Sequence, residues 1–191
     1  MIEFRGAGPA EFTERLDTVI GIYTAAMRPP ADQIAGRKTI MRNHTTYPYF
    51  QCYFAELRDS SLSPGNREKP YVVGFAYGFR GAPGQWWHDV VLRALTEQSG
   101  PEAAHAWLGH AFELAEVHVH PDYQGKGIGR AMIRTLCAGR PERSVVLSTH
   151  DRPTAARHLY ASLGFVDLLS GFVFPGGYEE YAVAGRPLPL R

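Results

Sequence analysis

The sequence predicts an α/β fold in which a mixed sheet is flanked by helices. Three observations carry that expectation. Stretches that alternate apolar and polar residues, or are rich in aromatic and β-branched ones, take turns along the chain with stretches of helical spacing. A glycine-rich run, "DYQGKGIGRAM", falls where one of the strands hands over to a helix. The 191 residues, 45% hydrophobic and 20% charged, suit one domain with a real core, residues 1–191, carrying a helical insertion at about 82–112.

Taken in order, "IEFRGA" reads as a strand, and "EFTERLDTVIGIYTAAM" as one helix with Phe12, Leu16, Val19, Ile20 and Tyr23 on its apolar face. Pro29 and Pro30 stop it, and Ala31 to Thr46 reads as a weaker helix. "YPYFQCYFAEL" and "YVVGFAYGFRG" form a hairpin about the turn "SSLSPGNREKP". The segment from Gly81 to Phe112 reads as two short helices broken at Ser99, Gly100 and Pro101. "ELAEVHVHP" is then a strand, Ile128 to Leu136 a helix stopped by Gly139, and "RSVVLST" a strand. "PTAARHLYASLGF" is a helix with Pro153 in its first turn and Gly164 at its C-terminal cap. The tail "GFVFPGGYEEYAVAG" is a hairpin turning at Gly176 and Gly177.

A net charge of +1 argues against a broad basic face for nucleic acid or acidic membrane, so an anionic ligand needs a local site. Cys52 and Cys137 lie far apart and outside any C-x-x-C spacing, which argues against a disulfide framework and for reduced thiols. The opening residues carry Glu3, Arg5 and Glu11 and do not read as a signal peptide. With no apolar run near the roughly 18 residues a membrane span needs, the expectation is a cytoplasmic protein.

A glycine-rich turn between strand and helix sets backbone N–H groups outward at a helix N-terminus, where unpaired donors and the helix dipole favour a phosphate. Side chains at positions 125, 127 or 129 would stand in the way or resist positive φ, and Lys126 and Arg130 add local positive charge. The P-loop pattern is missing. The dinucleotide pattern fits less well, because Gly125, Gly127 and Gly129 are spaced G-x-G-x-G, although Asp151 stands near the end of the next strand.

Read from Gln124 the run is Q-x-x-G-x-G, preceded by "VHVHPDY" and followed about 30 residues later by "AARHLYASLGF". Residues 113 to 165 thereby resemble the GNAT superfamily of acyl-CoA-dependent N-acyltransferases. The resemblance implies a mixed, mostly antiparallel sheet of six to seven strands with a central V-shaped splay. It implies acetyl transfer from acetyl-CoA to a primary amine by direct attack in a ternary complex, with no metal. Gln124, Gly125, Lys126, Gly127, Ile128, Gly129 and Arg130 would hold the pyrophosphate, and an N–H between Val117 and Val119 the thioester carbonyl. Tyr160 would protonate the departing thiolate; a phenol with pKa about 10 stays protonated where a thiol, about 8.5, ionises. Glu113 stands at the spacing at which some members carry a general base, with Glu116 and His118 as alternatives on the strand. Pro153 replaces an asparagine common in the family, and Ser148 a glutamate used by some protein N-terminal acetyltransferases.

His118 and His120 share one side of a strand but have no third ligand at a recognisable spacing, which argues against a metal. Trp86, Trp87 and His88, with Tyr47 and Tyr49, are candidates for an acceptor pocket, and core packing or a homodimer contact explains them as well. The acceptor is expected to be a small-molecule amine or a peptide N-terminus. A coenzyme A sensor without turnover is the alternative of a different class, and a dinucleotide oxidoreductase the third.

Overall fold

The computed structural model describes residues 1–58 and 71–190, so the expected turn "SSLSPGNREKP" lies outside the described residues. Seven strands are ordered β1-β2-β3-β4-β5-β7-β6 in one sheet. They are β1 (Ile2–Ala7), β2 (Gln51–Leu57), β3 (Tyr71–Arg80), β4 (Ala111–Val119), β5 (Ser144–His150), β6 (Val166–Val173) and β7 (Glu180–Pro187). Backbone contacts divide the chain into two compact units, Met1–Gly78 with Glu116–Leu136, and Phe79–Ala115 with Cys137 onward.

In the first unit β1, β2 and β3 form an antiparallel meander, from Ile2↔Leu57 to Ala7↔Cys52 and from Gln51↔Gly78 to Leu57↔Tyr71. The helix expected after β1 is two helices, α1 (Pro9–Glu14) and α2 (Leu16–Met27), parted at Arg15 with φ −98° and ψ 11°. Apolar spacing runs through the break, so periodicity alone could not place it. Phe12 of α1 is buried edge-on against Phe50 and Tyr77, with centroids 5.2 and 5.0 Å away. Arg15 reaches the buried Glu56 at 2.8 Å and lies over the Phe54 ring at 5.2 Å. Arg5 meets the same Glu56 oxygen at 2.8 Å, so two guanidiniums compensate one buried carboxylate.

The weaker helix is α3 (Ala31–His44), whose side chains bury only Met41. Strand β2 begins at Gln51, later than its aromatic composition suggested, because Tyr49 takes a positive φ of 57° just before it. Beyond β4 a short 3₁₀ turn, Pro121–Tyr123, leads to α6 (Ile128–Cys137). Gly74 of β3 lies where the β4 backbone and α6 come close: a Cβ there would stand 3.0 Å from the His118 carbonyl and 3.3 Å from Met132 Cε.

In the second unit the insertion forms α4 (Trp86–Ser99) and α5 (Pro101–Leu108), parted at Gly100 with φ 85°. Val91, Leu95, Ala104 and Leu108 of these helices are buried with Ala111, Val146, Leu169 and Val183 of the strands, and the Ser144 hydroxyl donates to the Trp107 carbonyl at 2.6 Å. Strand β5 pairs antiparallel with β7 from Ser144↔Pro187 to His150↔Tyr181, and β6 pairs antiparallel with β7. The parallel pairing of β4 with β5 spans only Ala111↔Ser144 to Glu113↔Val146. Among the described residues the β4–β5 ladder ends at that rung. Helix α7 (Ala155–Ser162) starts at Thr154, whose hydroxyl accepts from the Arg157 N–H at 3.1 Å. Pro153 therefore precedes the cap, where a first-turn position was expected. Gly164, with φ 82°, follows the C-terminal cap Leu163, one position beyond where it was expected.

Among the described residues no helix is long and apolar enough to cross a membrane. Gly74→Val should cost about 1–3 kcal/mol by overpacking the β3–β4–α6 contact, read as a lower denaturation midpoint with an unchanged m-value.

Candidate active site

The glycine turn begins with a cap. His120 accepts the Asp122 N–H on its ring at 3.4 Å, and the Gln124 amide donates to the Val119 carbonyl at 2.9 Å, tying the turn to the end of β4. Gly125 and Gly127 take φ of 74° and 77°, and nothing stands within 4 Å of where a Cβ would be at either. Their glycine requirement is therefore conformational, and the space above them is open. Gly129 lies inside α6, outside the positive-φ set.

The Gln124 N–H is spent on the Pro121 carbonyl at 3.2 Å, which removes it from the donors expected to face a phosphate. The first helical bond runs from the Ala131 N–H to the Gly127 carbonyl at 3.0 Å. Between them the N–H groups of Gly125, Lys126, Gly127, Ile128 and Gly129 take no partner among the described residues. Five consecutive donors at the positive end of a ten-residue helix make a fitting cradle for a pyrophosphate. Lys126 donates to the Asp122 carbonyl at 3.0 Å and lies over the Tyr123 ring at 5.0 Å, so its charge is held beside the turn.

The strand candidates fall into different surroundings. Glu116 and His118 are joined at 2.5 Å, each side chain 10% exposed, and Arg37 of α3 reaches the other Glu116 oxygen at 3.1 Å. Burial alone would push the Glu116 carboxyl up; the hydrogen bond with His118 and the charge of Arg37 hold it below the usual carboxylate range. The His118 ring packs edge-on to Tyr23, centroids 5.2 Å apart, and lies 5.4 Å from Phe75. Nearby in this unit, His44 meets the Tyr77 hydroxyl at 2.9 Å, and burial lowers its pKa to about 4, leaving it neutral at pH 7.

Glu113 stands apart, opposite Val146 on the last rung of the parallel ladder. It is 5% exposed, its Oε2 has no hydrogen-bond partner among the described residues, and burial pushes its carboxyl up to about 8. Sequence spacing could not distinguish it from Glu116, because the difference lies in what each meets across the fold. Arg37, 79 residues before Glu116, carried no signal in the sequence at all.

Tyr160 on α7 packs its ring against Phe165 at 5.6 Å. With Arg157, Ala161, Phe165, Asp167 and Ala184 it lines a cleft of about 310 Å³. Arg157 spans Asp167 at 2.5 Å and Asp151 at 3.2 Å, fixing the helix beside that cleft. Asp151, the acidic residue near the end of the strand after the glycine turn, is committed to Arg157 and to the Gly171 N–H at 2.7 Å.

The aromatic candidates separate as well. Trp87 packs on the α4–α5 core and donates to the Ser148 hydroxyl at 3.1 Å, while His88 is buried and bonded to Asp89 at 2.9 Å. Trp86 is 57% exposed, its ring 5.6 Å from Phe174. In the other unit Tyr49 is exposed and Tyr47 lies 5.5 Å from His44. The two cysteines are buried and unbonded. Among the described residues no group of three His, Cys, Asp or Glu side chains is placed to hold a metal ion.

The family model for the acetyltransferase (GNAT) domain matches residues 72–167. Over 197 aligned residues the chain is 36% identical to the GCN5-like protein acetyltransferase Rv2170 of Mycobacterium tuberculosis, covering 95% of this chain and 96% of that protein. Among solved structures, yncA of Salmonella typhimurium with its cofactor acetyl-CoA is similar at TM-score 0.60 and 17% identity, covering 99% of this chain and 95% of that one. Arabidopsis thaliana NAA60, in complex with a bisubstrate analogue, is similar at TM-score 0.63 and 18% identity, covering 99% and 100%.

The orphaned Glu113 carboxyl predicts a pH dependence of stability. Its folded pKa of about 8 lies above the ordinary 4.5, so between these values the folded state holds a proton that the unfolded state has lost. Stability therefore falls as pH rises through this window, by up to about 1.4 kcal/mol per unit. Glu113→Gln should flatten that slope and make the variant more stable than the parent at pH 8, measured by urea denaturation at pH 5 and pH 8.

Proposed function

The chain belongs to the GNAT acetyltransferase family, and on that premise we propose that it transfers an acetyl group from acetyl-CoA to an amine of a protein or peptide by direct attack in a ternary complex. The observation that carries the reading is the run of five N–H groups from Gly125 to Gly129, at the start of α6, that take no partner among the described residues. Acetyl-CoA supplies a thioester, whose acyl carbon is activated and whose sulfur leaves as a thiol. The chain's residues do the rest. The turn holds the pyrophosphate through main-chain donors, so its preference is for phosphate geometry over any one side chain. Lys126 and Arg130 add positive charge in a chain whose net charge is only +1. An N–H between Val117 and Val119 serves the thioester carbonyl.

Two proton movements need groups. An alkyl ammonium with pKa about 10.4 costs about 4–5 kcal/mol to neutralise at pH 7, so a residue that accepts its proton raises the rate. That acceptor is drawn from strand β4. Tyr160 gives a proton to the departing sulfur. The acceptor class follows the relative that shares 36% of its residues with this chain, which is named a protein acetyltransferase.

Tyr160→Phe should lower kcat by about 10²-fold with little change in acetyl-CoA affinity, measured by thiol release in a mixture of acceptor peptides. Gly127→Val, forced into φ near 77°, should weaken acetyl-CoA binding about tenfold by calorimetry while leaving the fold intact. Binding unaffected by Gly127→Val would remove the turn from the coenzyme site.

A further inference from the structure

We propose that His118 is the group on β4 that takes the amine proton, and that Glu116 and Arg37 are the positioning residues that aim it; this rests on the acetyl-transfer reading above. Each Glu116 oxygen is committed: Oε2 to His118 Nε2 at 2.5 Å and Oε1 to Arg37 Nη1 at 3.1 Å. A carboxylate bound at both oxygens and held below its ordinary pKa is a poor proton acceptor for a third group. It is a good partner for a ring N–H. With Nε2–H donated to Glu116, the lone pair of neutral His118 lies at Nδ1. Nδ1 takes no partner among the described residues and is not among the buried unsatisfied atoms, so it keeps contact with solvent.

The ring cannot turn freely. Tyr23 meets it edge-on at 90° and Phe75 lies 5.4 Å away, while the Arg37 guanidinium sits over the Tyr23 ring at 5.4 Å. Arg37 thus touches both the carboxylate behind the imidazole and the aromatic wall beside it. The carboxylate also stabilises the imidazolium once the proton has arrived. Glu113 is less suited at neutral pH, because with a pKa of about 8 it already holds the proton that a base would have to collect.

The step balances. His118 Nδ1 takes the proton given up by the ammonium and passes it to water. The N–C bond forms as the C–S bond breaks, and Tyr160 gives its hydroxyl proton to the sulfur and regains one from the acylated nitrogen.

The test uses the full chain with acetyl-CoA and an equimolar mixture of a lysine-containing peptide, a peptide with a free α-amine and spermidine. His118→Gln should lower kcat by about 10²-fold with KM for acetyl-CoA unchanged. Arg37→Met should lower kcat about tenfold, and Arg37→Lys should recover most of it. In parallel, ¹⁵N shifts of labelled histidines in the coenzyme-free protein should show His118 as the Nε2–H tautomer, and Glu116→Gln and Arg37→Met should mix the tautomers. A purely structural role would leave tautomer and kcat alone. The proposal is overturned if His118→Gln keeps the parental kcat while Glu113→Gln loses it, or if the parent His118 is the Nδ1–H tautomer. A parent that releases no thiol with any of the three amines counts against the transfer reading itself; the nitrogen shifts then decide the positioning half alone.

Discussion

An ionised carboxylate withdrawn from water is tolerated only when opposite charge and hydrogen bonds replace what solvation supplied. Glu116 meets that condition through Arg37 and His118, and much of the first unit is arranged around it. Helix α3 has little apolar surface to hold it, burying Met41 alone. It is fastened instead through polar contacts: Arg37 to Glu116, Lys38 to Asp17 of α2, and His44 to the Tyr77 hydroxyl. Tyr23 of α2 then closes against the His118 ring and under the Arg37 guanidinium. One buried charge thereby sets the position of two helices relative to the end of β4.

The second unit solves a different problem by apolar means. Helices α4 and α5 bury Val91, Leu95, Ala104 and Leu108 on the strands, and Trp87 adds its indole to the same face. Glu113, opposite Val146 of that cluster, is left with an oxygen that has no partner among the described residues. Two glutamates three residues apart on one strand thus end in opposite states. One is held in its ionised form by the hydrogen bond with His118 and the charge of Arg37 from α3, and the other is pushed toward its neutral form by burial.

Much of the fold was legible because it rests on short-range patterns. Most described strands and helices follow a stretch whose spacing or composition announced them; the α1–α2 pair and the Pro121–Tyr123 turn do not, and β6 starts at Val166, five residues before the expected hairpin at Gly171. The break at Arg15 was hidden because the apolar spacing of Phe12, Leu16 and Val19 continues across it. What bends the chain there is tertiary, since Arg15 joins Arg5 in compensating Glu56 more than 40 residues away. The glycine turn was the most legible part of the site, yet the structure still removed Gln124 from its donors, because that N–H closes the turn onto Pro121. Trp87 and His88, plausible walls of a pocket by composition, are occupied in packing and in bonds to Ser148 and Asp89.

By itself the sequence determined the conformations that neighbouring residues enforce on one another: the strands, most helix limits, and a turn in which glycines at positive φ expose consecutive main-chain donors. Those are local properties, set by φ/ψ sterics and by hydrogen bonds a few residues long. The ionisation of Glu113 and Glu116, the orientation of His118 and the part played by Arg37 were decided only by tertiary structure. Solvation and charge at a site depend on which distant groups come within a few ångströms, and a partner 79 residues away leaves no mark on the spacing around it.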